Sequence, residues 1–187
     1  MKPEYIALII SIFTTISAVL GMQFKNMKYV IISQLIANSL LGIQYILDGT
    51  VAAGGIVFLA IVQTIIGFVF TSKQIAFPLW LTSIFVVGYT ALTVITYTNP
   101  FDIVSMVAVW CFAFAIIQKN SAVCRVLTLT NATLWLVYDI GCAPSAILTH
   151  SIIIIFIIVA IVRLDRAEWR RGFEKITAKL GFGKNNK

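Results

Sequence analysis

The stretch 144-PSAILTHSIIIIFIIVAIV-162 contains no Asp, Glu, Lys or Arg. Its isoleucines would suit a β-strand in water, but lipid offers no partner for the open edge of a sheet. A helix of about 20 apolar residues crosses a hydrocarbon core about 30 Å thick. The stretch is therefore predicted to be a transmembrane helix.

The composition of the whole chain points to the same environment. Of 187 residues, 60% are hydrophobic and 11% are charged, and the mean hydropathy is +0.98. A soluble domain is about half apolar and a quarter charged. A cytosolic enzyme, a disordered chain and a disulfide scaffold are thereby excluded. We expect an all-α polytopic membrane protein with seven transmembrane helices, because six further long apolar runs carry charges only near their ends: Tyr5–Met22, Tyr29–Leu47, Val51–Phe70, Phe77–Thr96, Phe101–Ile117 and Ala122–Ile140.

The charges between the apolar runs alternate in sign. One predicted side of the membrane holds the tail and the basic residues Lys25, Lys28, Lys73, Lys119 and Arg125. The other side holds Glu4, Asp48, Asp102 and Asp139, with Lys2 as its single basic residue. Because cytoplasmic loops are enriched in Lys and Arg, we expect the N-terminus outside and the C-terminus in the cytoplasm of a bacterial inner membrane.

The tail, residues 164–187, turns basic and amphipathic. Its apolar side chains follow a helical spacing: Trp169, Phe173, Ile176 and Leu180. Such a helix is typical of one that lies on an anionic leaflet, so the bilayer is an expected partner. Nucleic acid is not expected as a partner, because no basic stripe is interleaved with stacking aromatics.

A repeat relates the two halves of the chain at a shift of 93 residues. Asn38-Ser-Leu-Leu-Gly-Ile-Gln-Tyr45 then lies over Asn131-Ala-Thr-Leu-Trp-Leu-Val-Tyr138. Each repeat has three crossings, so a fourth helix is needed to make the repeats parallel. We predict a three-helix bundle in residues 1–71, a linker transmembrane helix in 72–97 and a second three-helix bundle in 98–163. Secondary transporters are often built in this way, with the binding site between the repeats.

Several motifs also carry a family resemblance: 45-YILDGT-50, 51-VAAGG-55, 134-LWLVY-138 and 161-IVR-163. Over nearly its whole length the chain resembles the YgjV-like bacterial inner-membrane proteins, a group placed near the SWEET, PQ-loop and PnuC-type transporters. The resemblance implies a SWEET-like 3+1+3 helix plan. The chain departs from SWEET-type gates, since it has no Pro-Gln dipeptide and no proline within segments one, two, five and six. Hinges are instead predicted at Gly42, Gly54 and Gly55.

Two amides are predicted near the centre of the bilayer. Asn38 and Asn131 each lie nine residues into a crossing of about 19 residues. An unpaired amide in hydrocarbon costs several kcal/mol, so each must face protein or a wet cavity. They either grip a polar solute between the bundles or join helices by a structural hydrogen bond. The SWEET resemblance favours a pocket role for Asn131.

Aromatic residues share the helix faces of the two amides. Trp135 and Tyr138 follow Asn131 by four and seven residues, and Tyr45 stands on the matching face of the first half. Trp135 is expected to face the gap left by Gly42 and to hold a ring-shaped ligand. Tyr45 and Tyr138 are candidates for the same pocket, although an aromatic belt at the membrane interface is the favoured explanation for these two residues taken alone.

Three further side chains are candidates at depth. Trp110 and Gln63 are predicted to line the pocket, with helix packing as the alternative for Trp110. His150 is a candidate for pH sensing, but no carboxylate is expected at its depth, and a structural hydrogen bond is its alternative role. We expect no metal, no cofactor and no catalytic residue, because the sequence offers no ligand spacing and no nucleophile beside a base.

These observations together predict a transporter. With the acidic residues assigned to loops, facilitated diffusion of a neutral solute is favoured over ion coupling. A sugar, a nucleoside or a vitamin-like molecule would suit a pocket of amides and aromatic rings, and alternating access would move it. The alternative is a membrane sensor, assembly factor or partner subunit that transports nothing; an intramembrane enzyme comes third. Association into a homo-oligomer is compatible with either function.

Overall fold

A computed structural model describes residues 3–47 and 49–166. In these residues the regular secondary structure is entirely helical, and no β-strand forms. The helices are α1 (Pro3–Met22), α2 (Met27–Leu47), α3 (Val51–Ser72), α4 (Leu79–Ile95), α5 (Phe101–Ile116), α6 (Ser121–Cys142) and α7 (Ile147–Ala160), with a 3-10 turn (Pro144–Ala146) before α7 and a π-helical turn (Ile161–Asp165) after it. The predicted all-helical class is confirmed. The predicted tail helix lies outside the described residues, apart from its first few.

Within residues 3–47 and 49–166, three helices are long and apolar enough to cross a bilayer: Met27–Leu47, Ala53–Ser72 and Pro144–Asp165. The last contains the opening stretch, so its prediction as a long apolar helix is confirmed. Shorter apolar helices cover Ile9–Met22, Leu79–Ile95 and Phe101–Ile116. The crossing of the membrane by all seven helices stays a prediction.

Short polar connections end one helix and begin the next. The side chain of Asn120 accepts a hydrogen bond from the backbone N–H of Ala122 at 2.7 Å and caps α6. Before α5, Asp102 Oδ2 accepts bonds from the backbone N–H groups of Thr98 and Asn99 at 2.8 and 3.0 Å. Gly49 turns the chain between α2 and α3 with a φ of +77°, a conformation that favours glycine. Such caps satisfy backbone groups that a helix end leaves free.

The main helix contacts close a ring. They run from α1 to α2, α3, α5, α6 and α7 and back to α1, while α4 packs outside the ring against α3 and α5. A shift of 93 residues maps this ring onto itself, since α1, α2 and α3 correspond to α5, α6 and α7. Whether the halves are two parallel bundles joined by a linker helix stays a prediction.

Large apolar side chains cover the outside of the molecule, among them Phe58, Leu79, Val94, Ile95, Ile140 and Leu148. Many polar side chains lie inside it, including Gln44, Gln63, Asp139, Thr149 and His150. Since soluble proteins bury few charged groups and expose most polar ones, this reversed distribution fits a surface in contact with lipid.

Glycines let helices of the ring approach closely. A Cβ on Gly67 would lie 2.7 Å from Ile116 Cγ2 on α5, and one on Gly54 would lie 3.1 Å from a side-chain carbon of α2. Gly55 has open space around its Cα. All three predicted hinge glycines, Gly42 included, lie inside helices that continue without interruption. Their role as hinges stays a prediction.

Candidate functional site

A cavity of about 50 Å³ lies inside the ring, and all six ring helices contribute to its wall. Its polar lining consists of Thr14, Gln34, Asn38, Thr128, Asn131 and His150, and α4 contributes no residue. A buried water needs about 10–15 Å³ of occupied volume, so the cavity has room for at least three waters. The cavity is therefore a small space that apolar and polar side chains line together.

The two predicted amides meet at this cavity. Asn38 comes from α2 and Asn131 from α6, and both line the wall. Asn38 Nδ2 and Asn131 Oδ1 are buried and make no hydrogen bond within the described part of the chain. A buried amide group left unpaired costs about 1–3 kcal/mol. Each of the two cavity-lining amides thus keeps one buried polar atom that has no hydrogen-bond partner among the described residues.

A buried carboxylate stands beside His150 at one end of the cavity, here called the His150 end. Asp139 is 0% exposed, and its Oδ2 lies 2.5 Å from His150 Nδ1. The hydroxyl of Tyr45 donates to Asp139 Oδ1 at 3.0 Å. These bonds join α2, α6 and α7.

The expectation that His150 has no carboxylate at its depth was therefore wrong. Asp139 was assigned to a loop because it stands at the end of an apolar run. The helix continues to Cys142, however, which places Asp139 within α6 and turns its side chain toward α7.

Four aromatic rings close the same end. Trp135 stacks on Tyr45 with ring centroids 5.4 Å apart and lies parallel to the His150 ring at 6.3 Å. Tyr138 packs edge-on against Trp135 at 5.3 Å and against Tyr45 at 6.3 Å. Trp135 and His150 line the central cavity. The structure therefore brings three predicted aromatic residues together with the predicted histidine.

The space opposite Gly42 is occupied by Val57 and not, as was expected, by Trp135. A Cβ on Gly42 would lie 3.3 Å from Val57, so α3 fills the gap that was expected to face Trp135. Trp135 instead stacks on Tyr45 and His150. The expectation of a Trp135–Gly42 pair was wrong because it compared the two repeats with each other and took no account of the neighbouring helices.

A second cavity of about 520 Å³ lies beyond the aromatic rings, and we call it the Tyr138 vestibule. Tyr138 lines it, together with residues of the α2–α3 and α4–α5 connections and the end of α6: Gly49, Thr50, Thr96, Thr98, Asn99, Asp102, Gly141 and Cys142. Since Tyr138 packs against Trp135, which lines the central cavity, the aromatic rings stand between the two spaces.

Trp110 and Gln63 do not line the central cavity. Trp110 Nε1 donates to Thr90 of α4 at 3.2 Å. Gln63 donates to the carbonyl of Ala113 at 3.2 Å and accepts from the Tyr89 hydroxyl at 2.8 Å. Both side chains hold α4 against the ring, and the structure does not bring them together with the amide pair.

Arg125 lies on α6 one turn before Thr128, a lining residue of the cavity, and we call this side of the cavity the Arg125 end. Arg125 is 1% exposed, and its Nη1 lies 2.6 Å from Asp165 Oδ1. Its Nε and Nη2 donate to the carbonyls of Met22 and Phe24 at 2.9 and 2.6 Å. Sequence reasoning missed this site because it treated Arg125 as a loop charge. Two features of the sequence could have indicated this site: Arg125 is an arginine inside an apolar run, and Asp165 is an acidic residue in a basic segment.

The part of the chain described by the structure contains no group of three or more His, Cys, Asp or Glu side chains that could hold a metal ion. The cysteines Cys111, Cys124 and Cys142 are free. The chemistry available at the central cavity is therefore hydrogen bonding, stacking and proton binding.

A ring of helices with an apolar exterior around a small polar cavity defines a helical membrane protein. The sequence model of the Imp-YgjV family, described as a bacterial inner membrane protein, matches residues 5–168. The chain belongs to this family, as its motifs predicted. Compared with the curated proteins and with the solved structures, the chain has no match. Its relation to the SWEET, PQ-loop and PnuC-type transporters stays a prediction.

Proposed function

We propose that this inner-membrane protein transports a small neutral polar solute by alternating access between its two halves. A sugar, a nucleoside or a vitamin-like ring has the donors, acceptors and flat faces that the cavity can bind. The N-terminus would lie outside and the C-terminus in the cytoplasm. One chain supplies both halves, so a homo-oligomer would not be needed to complete the site.

The unpaired amides carry this proposal. Asn38 and Asn131 line the cavity, and their Nδ2 and Oδ1 atoms have no partner among the described residues; burying such groups is unfavourable unless something binds them. A solute with a hydroxyl or an amide could satisfy both. Two amides that served only to join helices would be expected to bond to each other or to the neighbouring helices.

The size of the cavity supports a closed state in the proposed cycle. About 50 Å³ is too small for a sugar, so the halves would have to move apart to admit one. The His150 end is closed by hydrogen bonds and aromatic rings, and the Arg125 end by an ion pair. In alternating access these two closures would open in turn.

The expected facilitative mode has lost its main support. It rested on the absence of a carboxylate at depth, and Asp139 is buried beside His150.

A thermal-shift screen against sugars, nucleosides and vitamins would first find a stabilising solute, and flux into proteoliposomes would follow. Asn38→Ala and Asn131→Ala should each lower the initial uptake rate at least tenfold, because each removes one bond to the solute. Thr130→Ala is the matched control, since Thr130 is exposed on the same helix as Asn131. Wild-type uptake by both amide variants would refute the assignment.

The stability of the same variants separates the two roles of the amides. If the two amides are unpaired, replacing either one by alanine should lower the free energy of unfolding of the protein little or not at all. As interhelical bonds, they would each contribute about 0.6–1 kcal/mol to the free energy of unfolding. The alternative function, a subunit that transports nothing, is favoured by the small volume of the cavity, about 50 Å³. We propose no enzymatic activity.

A further inference from the structure

The pair formed by His150 and Asp139 has no role in binding a neutral solute as proposed above. Asp139 is fully buried within α6, and its two oxygens accept from the Tyr45 hydroxyl and face His150 Nδ1. Asp139 is not part of the cavity wall, whereas His150 is. The carboxylate is therefore connected to the cavity through the imidazole ring.

The charge of the pair depends on one proton. With His150 neutral and its Nδ1–H donated to Asp139, the pair carries one buried negative charge. A proton added to Nε2, the ring nitrogen that does not face Asp139, turns the pair into an imidazolium beside a carboxylate with no net charge. Burying an uncompensated carboxylate is far more costly than burying a paired one. Adding this proton therefore removes the uncompensated negative charge from the buried pair.

Among the described residues, the elements around Asp139 supply no other cation. From α2 and α6 the titratable neighbours are Tyr45 and Tyr138. Asp102 of α5 lies in the Tyr138 vestibule, and it would add negative charge. Described side chains on the remaining elements that surround the pair are uncharged: Ser11 and Thr14 on α1, Val57 on α3, Ser145 in the 3-10 turn and Thr149 on α7. In the described part of the chain the buried arginine, Arg125, is at the opposite end.

We propose that His150 and Asp139 form a proton-binding site that opens to the central cavity, and that one proton crosses the membrane with each solute molecule. This inference rests on the proposed transport function. Closing the ring around a solute removes water from the pair and favours uptake of a proton at Nε2. Opening either end returns water to the pair and favours release. By linkage, a bound proton then raises the affinity of the protein for the solute, and a bound solute raises its affinity for the proton by the same factor.

Proton binding can be measured without any solute. A protonated imidazole quenches the fluorescence of a stacked indole, and Trp135 lies parallel to His150. The intrinsic fluorescence of the purified full-length protein in nanodiscs should fall reversibly as the pH is lowered. His150→Gln and Trp135→Phe should each abolish this change, and Trp110→Phe, which alters an indole bonded to α4, should retain it. An unchanged titration in a folded His150→Gln protein would overturn the proton site.

Coupling is measured as accumulation of the solute in proteoliposomes whose membrane potential is clamped at zero. With one proton per solute, a gradient of one pH unit should concentrate the solute about tenfold, since tenfold in either concentration is the same free energy. His150→Gln and Asp139→Asn should each lose this response to the gradient.

The possible failures are distinguishable. Solute flux in the wild type that ignores the gradient would overturn coupling and leave the transport function intact. A His150-dependent fluorescence titration with no flux of any solute that stabilises the protein would overturn the transport function and, with it, the coupling.

Discussion

At each end of the central cavity, an ionisable side chain of α6 pairs with one of α7 or of the π-helical turn that follows α7. The chemistry of the two pairs differs. On α6 stand Arg125 and Asp139; opposite them, on α7 and the turn that follows, stand Asp165 and His150. At the Arg125 end the carboxylate meets a guanidinium, which also donates to two backbone carbonyls. At the His150 end the carboxylate meets an imidazole, and this pair is the proposed proton-binding site. The two closures therefore differ in role: one is an ion pair that joins helix ends, and the other is the proposed site of proton binding.

The first half of the chain lacks both closures. The residues 93 positions before Arg125, Asp139 and His150 are Ile32, Ile46 and Val57. In that half, Gly42 packs against Val57, where the second half stacks Trp135 on His150. Each half of the chain has one of the two equivalent amides, whereas the ion-paired residues of α6 and α7 have no charged equivalents in the first half. The polar solute would thus be held by both halves, whereas control of the two ends belongs to the seam between α6 and α7.

The largest effect is expected at the Arg125 end. Arg125→Met leaves Asp165 buried without a partner and removes donors from the carbonyls of Met22 and Phe24. Breaking a buried pair by removing one partner costs about 3–5 kcal/mol. Unfolding in detergent micelles should show a loss of that size in the free energy of unfolding.

Arg163→Gln is the control for this prediction. Arg163 is exposed and donates to Gln23 at 2.7 Å, so it should change stability by less than about 1 kcal/mol. Arg125→Met combined with Asp165→Leu should recover part of the loss, because no charge is then left unpaired. Equal losses at the two arginines would mean that the Arg125 end is not a buried lock.

A smaller effect is expected where the ring closes between α3 and α5. Gly67→Ala places a Cβ about 2.7 Å from Ile116 Cγ2, and overpacking of this kind costs about 1–3 kcal/mol. Gly55→Ala is the matched control in the same helix. It meets open space, so it should be neutral or should stabilise by up to about 1 kcal/mol through helix propensity. If close packing plays no part at Gly67, both variants will change stability only through helix propensity, and their free energies of unfolding will change by the same amount.

Much of the fold could be predicted because the bilayer restricts it. The predicted runs Tyr29–Leu47 and Phe101–Ile117 became α2 (Met27–Leu47) and α5 (Phe101–Ile116) with shifts of one or two residues at their ends. A segment in lipid must satisfy its backbone internally, so hydropathy alone indicates helix. The closed order of the ring could not be predicted, because it depends on contacts such as Gly67 against Ile116 between distant segments.

The site was predictable only in part. Asn38 and Asn131 could be found because a repeat placed two amides at equal depth. The pairing of Asp139 with His150 could not, because it depends on how α7 turns against α6 after the connection near Pro144. A usable signal was present: an acid and the single histidine both lie within about two helical turns of that connection. Charges at the ends of apolar runs resemble loop charges, and burial distinguishes them only once the packing is known.

The smallest effect is expected at the contact between α1 and α7, beside the His150 end. Ser11 Oγ and Thr149 Oγ1 lie 2.5 Å apart, and both residues are buried. A hydrogen bond between membrane helices contributes about 0.6 kcal/mol on average, because the partners find other bonds when the helices separate. A double-mutant cycle of Ser11→Ala and Thr149→Val should yield a coupling energy near this value. Ser83→Ala, which removes an exposed hydroxyl bonded to its own helix, should cost less. If the coupling energy is as large as the loss of unfolding free energy at Arg125, the His150 end is held together as strongly as the Arg125 end. The proposed contrast between an ion pair at one end and a proton-binding pair at the other would then no longer hold.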